Sequence, residues 1–410
     1  MKKKTVVVSL ITIVAIFFVI NHNIGKEFLS NYKNSLSKDQ RYTIKKIFFP
    51  YKLISQLEKD IVNKERNISE LIRSSSYKET ILNEVDLFDK EVQFKKSLKD
   101  IEINPVFDET KLSNNLVLKK FYINNGIYAG IKQNFPGSSY IDFYINNLIL
   151  LSSRGILAYS KSPDDISNFK QIKNNIDEFI GYEQFKKKLW FSIKDLSIHN
   201  DKIFVSFTEE IETDCWNTSV IWGEMNYKEI NFKKLFSSED CIHILDNDDG
   251  YAKFNAHQSG GRIVKYDDNH ILLSVGEYRM RYLAQKKDNI NGKIIIININ
   301  NSNYEIVSMG LRNVQGLYFD RERNFILSSE HGAAGGDEIN LIEVDKLNNN
   351  EIQNYGWAIA SAGNHYEYKD KDLYAKYPLY KSHEKYGFIE PKKSFVTSTG
   401  LSEIAKISKN

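Results

Sequence analysis

Tyr266-Asp267-Asp268-Asn269-His270 runs directly into Ile271-Leu272-Leu273-Ser274-Val275. A polar turn feeding a short apolar run is the signature of a strand in a hairpin. The same pattern recurs on both sides. Leu148-Ile149-Leu150-Leu151-Ser152 meets Ser153-Arg154-Gly155 before Ile156-Leu157-Ala158-Tyr159, and Asn200-Asp201-Lys202 feeds Ile203-Phe204-Val205-Ser206-Phe207. Downstream, Phe319-Asp320-Arg321-Glu322-Arg323-Asn324 precedes Phe325-Ile326-Leu327-Ser328. From about Asn104 onward the chain therefore reads as short strands. Its turns recur roughly every 50 to 65 residues, which suits four-stranded propeller blades with insertions. A large β-sandwich is the rival on pattern alone.

The 410 residues are 41% hydrophobic and 27% charged, enough for one or two domains with a real core and too apolar for a disordered chain. Lys plus Arg number 56 against 53 Asp plus Glu, a net charge of +3 that gives no support to nucleic-acid binding. Two cysteines exclude a disulfide scaffold and a Cys-rich metal cluster. Lys2, Lys3 and Lys4 precede an uncharged run from Thr5 to Ile20. As a helix that run would reach about 24 Å. It is either a cleaved signal or a retained anchor. No Ala-x-Ala-like site follows in Val19-Ile20-Asn21-His22-Asn23-Ile24, which favours the anchor. With the lysines held inside, the remainder faces out, and the expected location is the bacterial inner membrane, single-pass, with the bulk of the chain periplasmic. Leu53, Ile54, Leu57 and Ile61, then Ile68, Leu71 and Ile72, have helical spacing with charges between them. The expected organisation is an anchor at 1–23, a helical stalk at 24–103 and a β-propeller at 104–410.

Three Gly-flanked polar clusters sit at strand ends, where loops on a rigid scaffold carry function. In His257-Gln258-Ser259-Gly260-Gly261-Arg262 an imidazole beside two glycines suits proton abstraction. Gly310-Leu311-Arg312-Asn313-Val314-Gln315-Gly316 joins a guanidinium fork to an amide, a pairing that suits carboxylate or quinone oxygens. Ser329-Glu330-His331-Gly332-Ala333-Ala334-Gly335-Gly336-Asp337-Glu338 precedes Asn354-Tyr355-Gly356-Trp357, and such Gly-rich backbone can converge oxygens on Ca²⁺. Taken alone, the clusters read first as an ordinary surface or core-edge histidine, a turn with a solvated arginine, and a loop without a metal.

In this order the clusters resemble the glucose/sorbosone dehydrogenase family of six-bladed propellers that use pyrroloquinoline quinone (PQQ) and calcium. The resemblance rests on Arg312-Asn313-x-Gln315-Gly316, Glu330-His331-Gly332, Gly335 through Ile342 and Asn354-Tyr355-Gly356-Trp357. His257-x-x-Gly260-Gly261-Arg262-Ile263, Gly276-Glu277-Tyr278-Arg279, Ala284-Gln285 and Gly292-Lys293 extend it upstream. It implies His257 as the general base while hydride passes to the quinone. Arg312 and Asn313 would hold quinone oxygens and carboxylates, Tyr366 would contact the cofactor, and the Glu338 carboxylate and Tyr355 carbonyl would bind Ca²⁺. The substrate implied is an aldose sugar.

Some positions depart from the family. Ala333 replaces a proline, and the segment after Pro391 lacks the family's Trp and Pro. Family members also continue through about two further blades, so about four blades and a partial one are expected here, with a missing segment or a partner completing the ring. A non-catalytic, calcium-stabilised propeller that binds a glycan or protein is the alternative function. Cys215 and Cys241 lie outside the family motifs, and in an exported chain one structural disulfide is the simplest expectation.

Overall fold

The computed structural model describes residues 64, 101–112, 117–123, 139–152, 155–160, 168–180, 193–243, 256–347, 352–365 and 371–407. The chain divides into two compact units, Met1–Glu79 and Thr80–Asn410, and all the described strands belong to the second. The anchor expected at 1–23 lies outside the described residues, as does the stalk apart from Lys64 and its last three positions, 101–103. Among the described residues no helix is long and apolar enough to cross a membrane.

The described part is all-β with a few short helices. Strands β1 (Ile101–Lys111), β2 (Val117–Ile123), β3 (Ser139–Tyr144), β4 (Asn147–Ser152), β5 (Leu157–Ser160) and β6 (Asn168–Asn174) form the first sheet, ordered β2-β1-β6-β5-β4-β3. The second sheet is built from β7 (Ile193–His199), β8 (Lys202–Glu212), β9 (Cys215–Glu224), β11 (Lys233–Phe236) and β12 (Ile242–His243), while β10 (Glu229–Ile230) pairs with β6 of the first. β13 (Gly260–Lys265), β14 (His270–Val275), β15 (Lys293–Asn298) and β16 (Tyr304–Met309) form the third, an antiparallel meander. β17 (Val314–Asp320), β18 (Phe325–Glu330) and β19 (Asp337–Glu343) form the fourth, while β20 (Gln353–Asn354) joins the third sheet and β21 (Lys393–Phe395) the fourth.

The turns read from sequence are where they were expected, and their chemistry explains them. Asn200 and Asp201 have φ of 51° and 58°, and Asn324 has 56°, values that Asn and Asp tolerate better than branched residues. β1 begins at Ile101, three residues ahead of the expected domain start.

Neighbouring sheets meet through their first or last strands: β3 lies against β7, β7 against β13 and β13 against β17. Strand alternation then sorts side chains to two sides. Ile203, Val205 and Phe207 pack with Ile149, Leu151 and Leu157 of the first sheet, while Phe204 turns the other way to Ile271, Leu273 and Ile295 of the third. Leu272 and Ile294 in turn join Val314, Leu317, Ile326 and Ile342 of the fourth. The sheets therefore pack in series, where a sandwich would have two facing layers. Arg262 ties the inner strands together. It donates to Asp195 on β7 (3.0 Å) and to the Gln315 carbonyl on β17 (2.6 Å), and it pairs with Glu403 (3.0 Å).

Candidate active site

Three of the family-like segments converge at one end of these sheets. The first is the short turn Ala256–Gln258 entering β13, the second follows β14 at Gly276–Arg279, and the third, Arg312-Asn313, enters β17. Main-chain bonds lace them together. Glu277 N–H donates to the Arg312 carbonyl (3.0 Å), Tyr278 N–H to Gln258 O (3.2 Å) and Gly276 N–H to Ser259 O (2.8 Å). Gly260 N–H donates to Asn313 Oδ1 (3.1 Å). Gly276 has to be glycine here, because a Cβ would collide with the Gln258 carbonyl. Tyr278 and Arg279 both have positive φ, 51° and 67°, an unusual backbone for bulky residues and one found where structure is held for function. The His257 backbone lies in the first turn, beside Gln258; its side chain lies outside what the structure describes.

Arg312 is buried, and most of its donors point into the protein. Nη1 donates to the His331 and Gly332 carbonyls (3.1 and 2.6 Å), and Nε lies 4.0 Å from Glu277 Oε1. Asn313 is buried with its Oδ1 taken by Gly260 N–H and Gln315 Nε2 (2.9 Å), so the amide NH₂ is its remaining group for a ligand. Two residues absent from the sequence-based site adjoin them. Arg281 and Arg312 both stand over the Trp357 ring, 5.3 and 5.4 Å from its centroid, and the buried Trp357 Nε1–H has no acceptor among the described residues. Two guanidiniums, an amide NH₂ and an orphaned indole N–H are the donor set that an anionic, oxygen-bearing ligand requires.

The expected metal residues lie on the fourth sheet and beside it. In the β18–β19 register Glu330 stands opposite Glu338, so two buried carboxylates share one face. Burial, and for Glu338 the Glu330 charge, push both well above the carboxylate range. Glu330 accepts from Arg312 N–H (2.5 Å) and Asn340 Nδ2 (2.9 Å); Glu338 accepts from Ala362 N–H (3.0 Å). Asn340 Oδ1 is buried beside them with no donor among the described residues. Tyr355 is buried, and its hydroxyl reaches Leu341 O on β19 (2.6 Å). Paired buried carboxylates with an orphaned amide oxygen suit a hard cation. Among the described residues no three His, Cys, Asp or Glu side chains are grouped to hold a metal, so carbonyl and amide oxygens would have to complete the set. Tyr366 lies outside the described residues.

The Asp337 carboxylate was not singled out by itself, yet it anchors the segment after Pro391. It accepts from Thr399 N–H and Gly400 N–H (2.7 Å each) and from Gly332 N–H (3.0 Å). Burial alone would raise this carboxyl; the three amides more than offset that and leave it below its usual range. His331 Nε2 bonds Leu401 O (2.6 Å), so the segment is held against the site without the family's proline and tryptophan.

Residues 194–410 match the family model described as Glucose / Sorbosone dehydrogenase. The chain is similar to aldose sugar dehydrogenase YliI of Escherichia coli (strain K12), 32% identical over 181 residues, which is 40% of this chain and 44% of that protein. It spans less than half the length of the curated relatives it matches. Among solved structures, the apo form of the soluble aldose sugar dehydrogenase from Escherichia coli is 19% identical, covering 65% of this chain and 74% of that one, with a TM-score of 0.48. The PQQ-bound aldose sugar dehydrogenase from Streptomyces coelicolor is 16% identical, covering 63% and 68%, with a TM-score of 0.42.

Proposed function

The chain belongs to the glucose/sorbosone dehydrogenase family, and on that premise we propose that it is an exported quinoprotein dehydrogenase acting on an aldose hydroxyl, held at the membrane by residues 1–23 and raised from it by a stalk at 24–103. The observation that carries this reading is the lacing of the His257 turn to Arg312-Asn313 through Glu277, Tyr278 and Gly260.

PQQ, when bound, supplies the acceptor for the hydride. His257 takes the proton of the substrate hydroxyl, a task for a near-neutral imidazole. The remaining Arg312 donor and the Asn313 NH₂ hold cofactor oxygens, with Tyr366 as a further contact. Arg281 and the Trp357 N–H add positive character beside them. Glu338 and the Tyr355 carbonyl hold Ca²⁺, whose charge offsets the buried Glu330–Glu338 pair. The sheets form part of a propeller. Ile141, Phe143 and Ile145 are exposed on and just beyond β3, on the side away from Tyr140, Asp142 and Tyr144, which bond the second sheet. A further sheet or a partner that completes the ring would cover them.

Dye reduction by the full chain with PQQ, Ca²⁺ and a panel of aldoses tests the reading. One or more sugars should be oxidised, and His257→Ala should lower the rate by about 10² to 10⁴ while keeping the PQQ-dependent rise in Tm. Absence of both dye reduction and a PQQ-dependent shift contradicts it. The inward-facing donors of Arg312 favour a second reading, a calcium-stabilised propeller that binds a glycan or protein. Its mark in the same experiment is a Ca²⁺-dependent Tm with no turnover.

A further inference from the structure

We infer that Gln258 is a positioning residue for the base: its side-chain amide pins the turn that carries His257 to both Arg312 and Glu277. The inference rests on the role given to His257 under the proposed function.

Gln258 is 4% exposed, and its neighbours dictate its orientation. A carboxylate can only accept and a guanidinium can only donate, so the NH₂ faces Glu277 and the carbonyl faces Arg312. In that orientation Nε2 donates to Glu277 Oε1 (3.0 Å) and Oε1 accepts from Arg312 Nη2 (2.6 Å). The Gln258 main-chain carbonyl accepts a third bond from Tyr278 N–H. The turn itself is three residues of 3-10 helix, too short to fix its own direction. Ala256, on the other side of His257, is buried in a cluster with Trp216, Ile242 and Tyr278. The peptide at His257 is thus clamped before by packing and after by a neutral amide set between a cation and an anion. No other residue of the turn reaches both charged partners through its side chain among the described contacts.

The consequence is a coupling. Whatever moves the Arg312 guanidinium, cofactor included, pulls on the residue next to the base. Gln258→Leu keeps the volume and removes both charge-assisted bonds. Gln258→Glu keeps an acceptor for Arg312, but donates to Glu277 only while the introduced carboxyl holds a proton.

The test uses the full chain labelled with ¹³C-histidine, with the His257 signal assigned through His257→Asn. In Gln258→Leu the His257 titration midpoint should move by on the order of half a pH unit or more. With PQQ and Ca²⁺, kcat should fall about 10- to 100-fold with the sugar KM within about twofold. In Gln258→Glu the rate relative to the parent should decline as pH rises. A merely structural glutamine would lower Tm in both variants and leave the His257 midpoint and the pH trend unchanged, and that result overturns the inference. If the parent shows neither turnover nor a PQQ-dependent shift, the dehydrogenase reading fails; the titration still decides the clamp, with a moved midpoint supporting it and an unmoved one refuting it.

Discussion

Arg312 shows how a single side chain can be legible by type and illegible by role. Its fork and its Asn313 neighbour mark it as an oxygen binder in the sequence, but the carbonyls it serves belong to His331 and Gly332, 19 and 20 residues away. Gln258 and Trp357 escaped notice for the same reason: their partners come from other segments, and no local spacing announces them. Trp357 did at least stand inside a family motif, and its buried indole N–H is the kind of signal that only packing reveals. His199 makes a testable case at this scale. Its ring stacks on Phe204 (4.5 Å) with neither nitrogen hydrogen-bonded among the described residues. Burial, helped by Lys265 and Lys202, holds the imidazole down to about 4. The unfolded chain gains that proton near 6.5 and the folded chain only near 4, so stability is intact above the first value and is lost as pH falls toward the second. Urea midpoints recorded from about pH 7 to about pH 4.5 should fall less in His199→Phe than in the parent. Parallel curves would refute this.

Among elements, the hairpins were readable because period-two apolar runs and Asn/Asp turns are local signals; the β7–β8 and β17–β18 turns are examples. The two-residue additions were not. β10 pairs in parallel with β6 and β20 with β16, each contributing a pair of residues at long range with no alternation to read. The expected disulfide is present: Cys215, at the start of β9, is bonded to Cys241, just before β12, with Cα atoms 5.3 Å apart. Trp216 and Ile242, the residues next to each cysteine, belong to the cluster under Ala256 and Tyr278, so the crosslink braces the floor of the site. Closing a loop with a sequence separation of 26 should stabilise the fold by about 3 to 4 kcal/mol through the unfolded chain. Denaturant unfolding of the Cys215→Ala/Cys241→Ala pair measures this; an unchanged midpoint would show that the crosslink does not support the sheet.

At the scale of the whole described fold, four sheets packed in series bring segments far apart in the sequence to one place. Arg262 joins Asp195 to Glu403, and Asp337 holds Thr399 and Gly400. That architecture explains what the sequence could and could not tell. Glycine and polar residues cluster in the loops that converge at one end of the sheets, so those loops were legible as candidates, but the angle at which they meet depends on sheet packing. Centrally, the proposed function requires the His257 turn and Arg312-Asn313, which main-chain and amide bonds hold together, to line one anion-accepting pocket for a quinone. Calorimetric titration of PQQ into the Ca²⁺-loaded chain tests this most directly, with Arg312→Lys as the comparison. A guanidinium fork is not replaced by an ammonium, so the parent should bind PQQ and the variant should bind it about tenfold or more weakly. Equal affinity in the two proteins, or no binding to the parent, would contradict a shared quinone pocket.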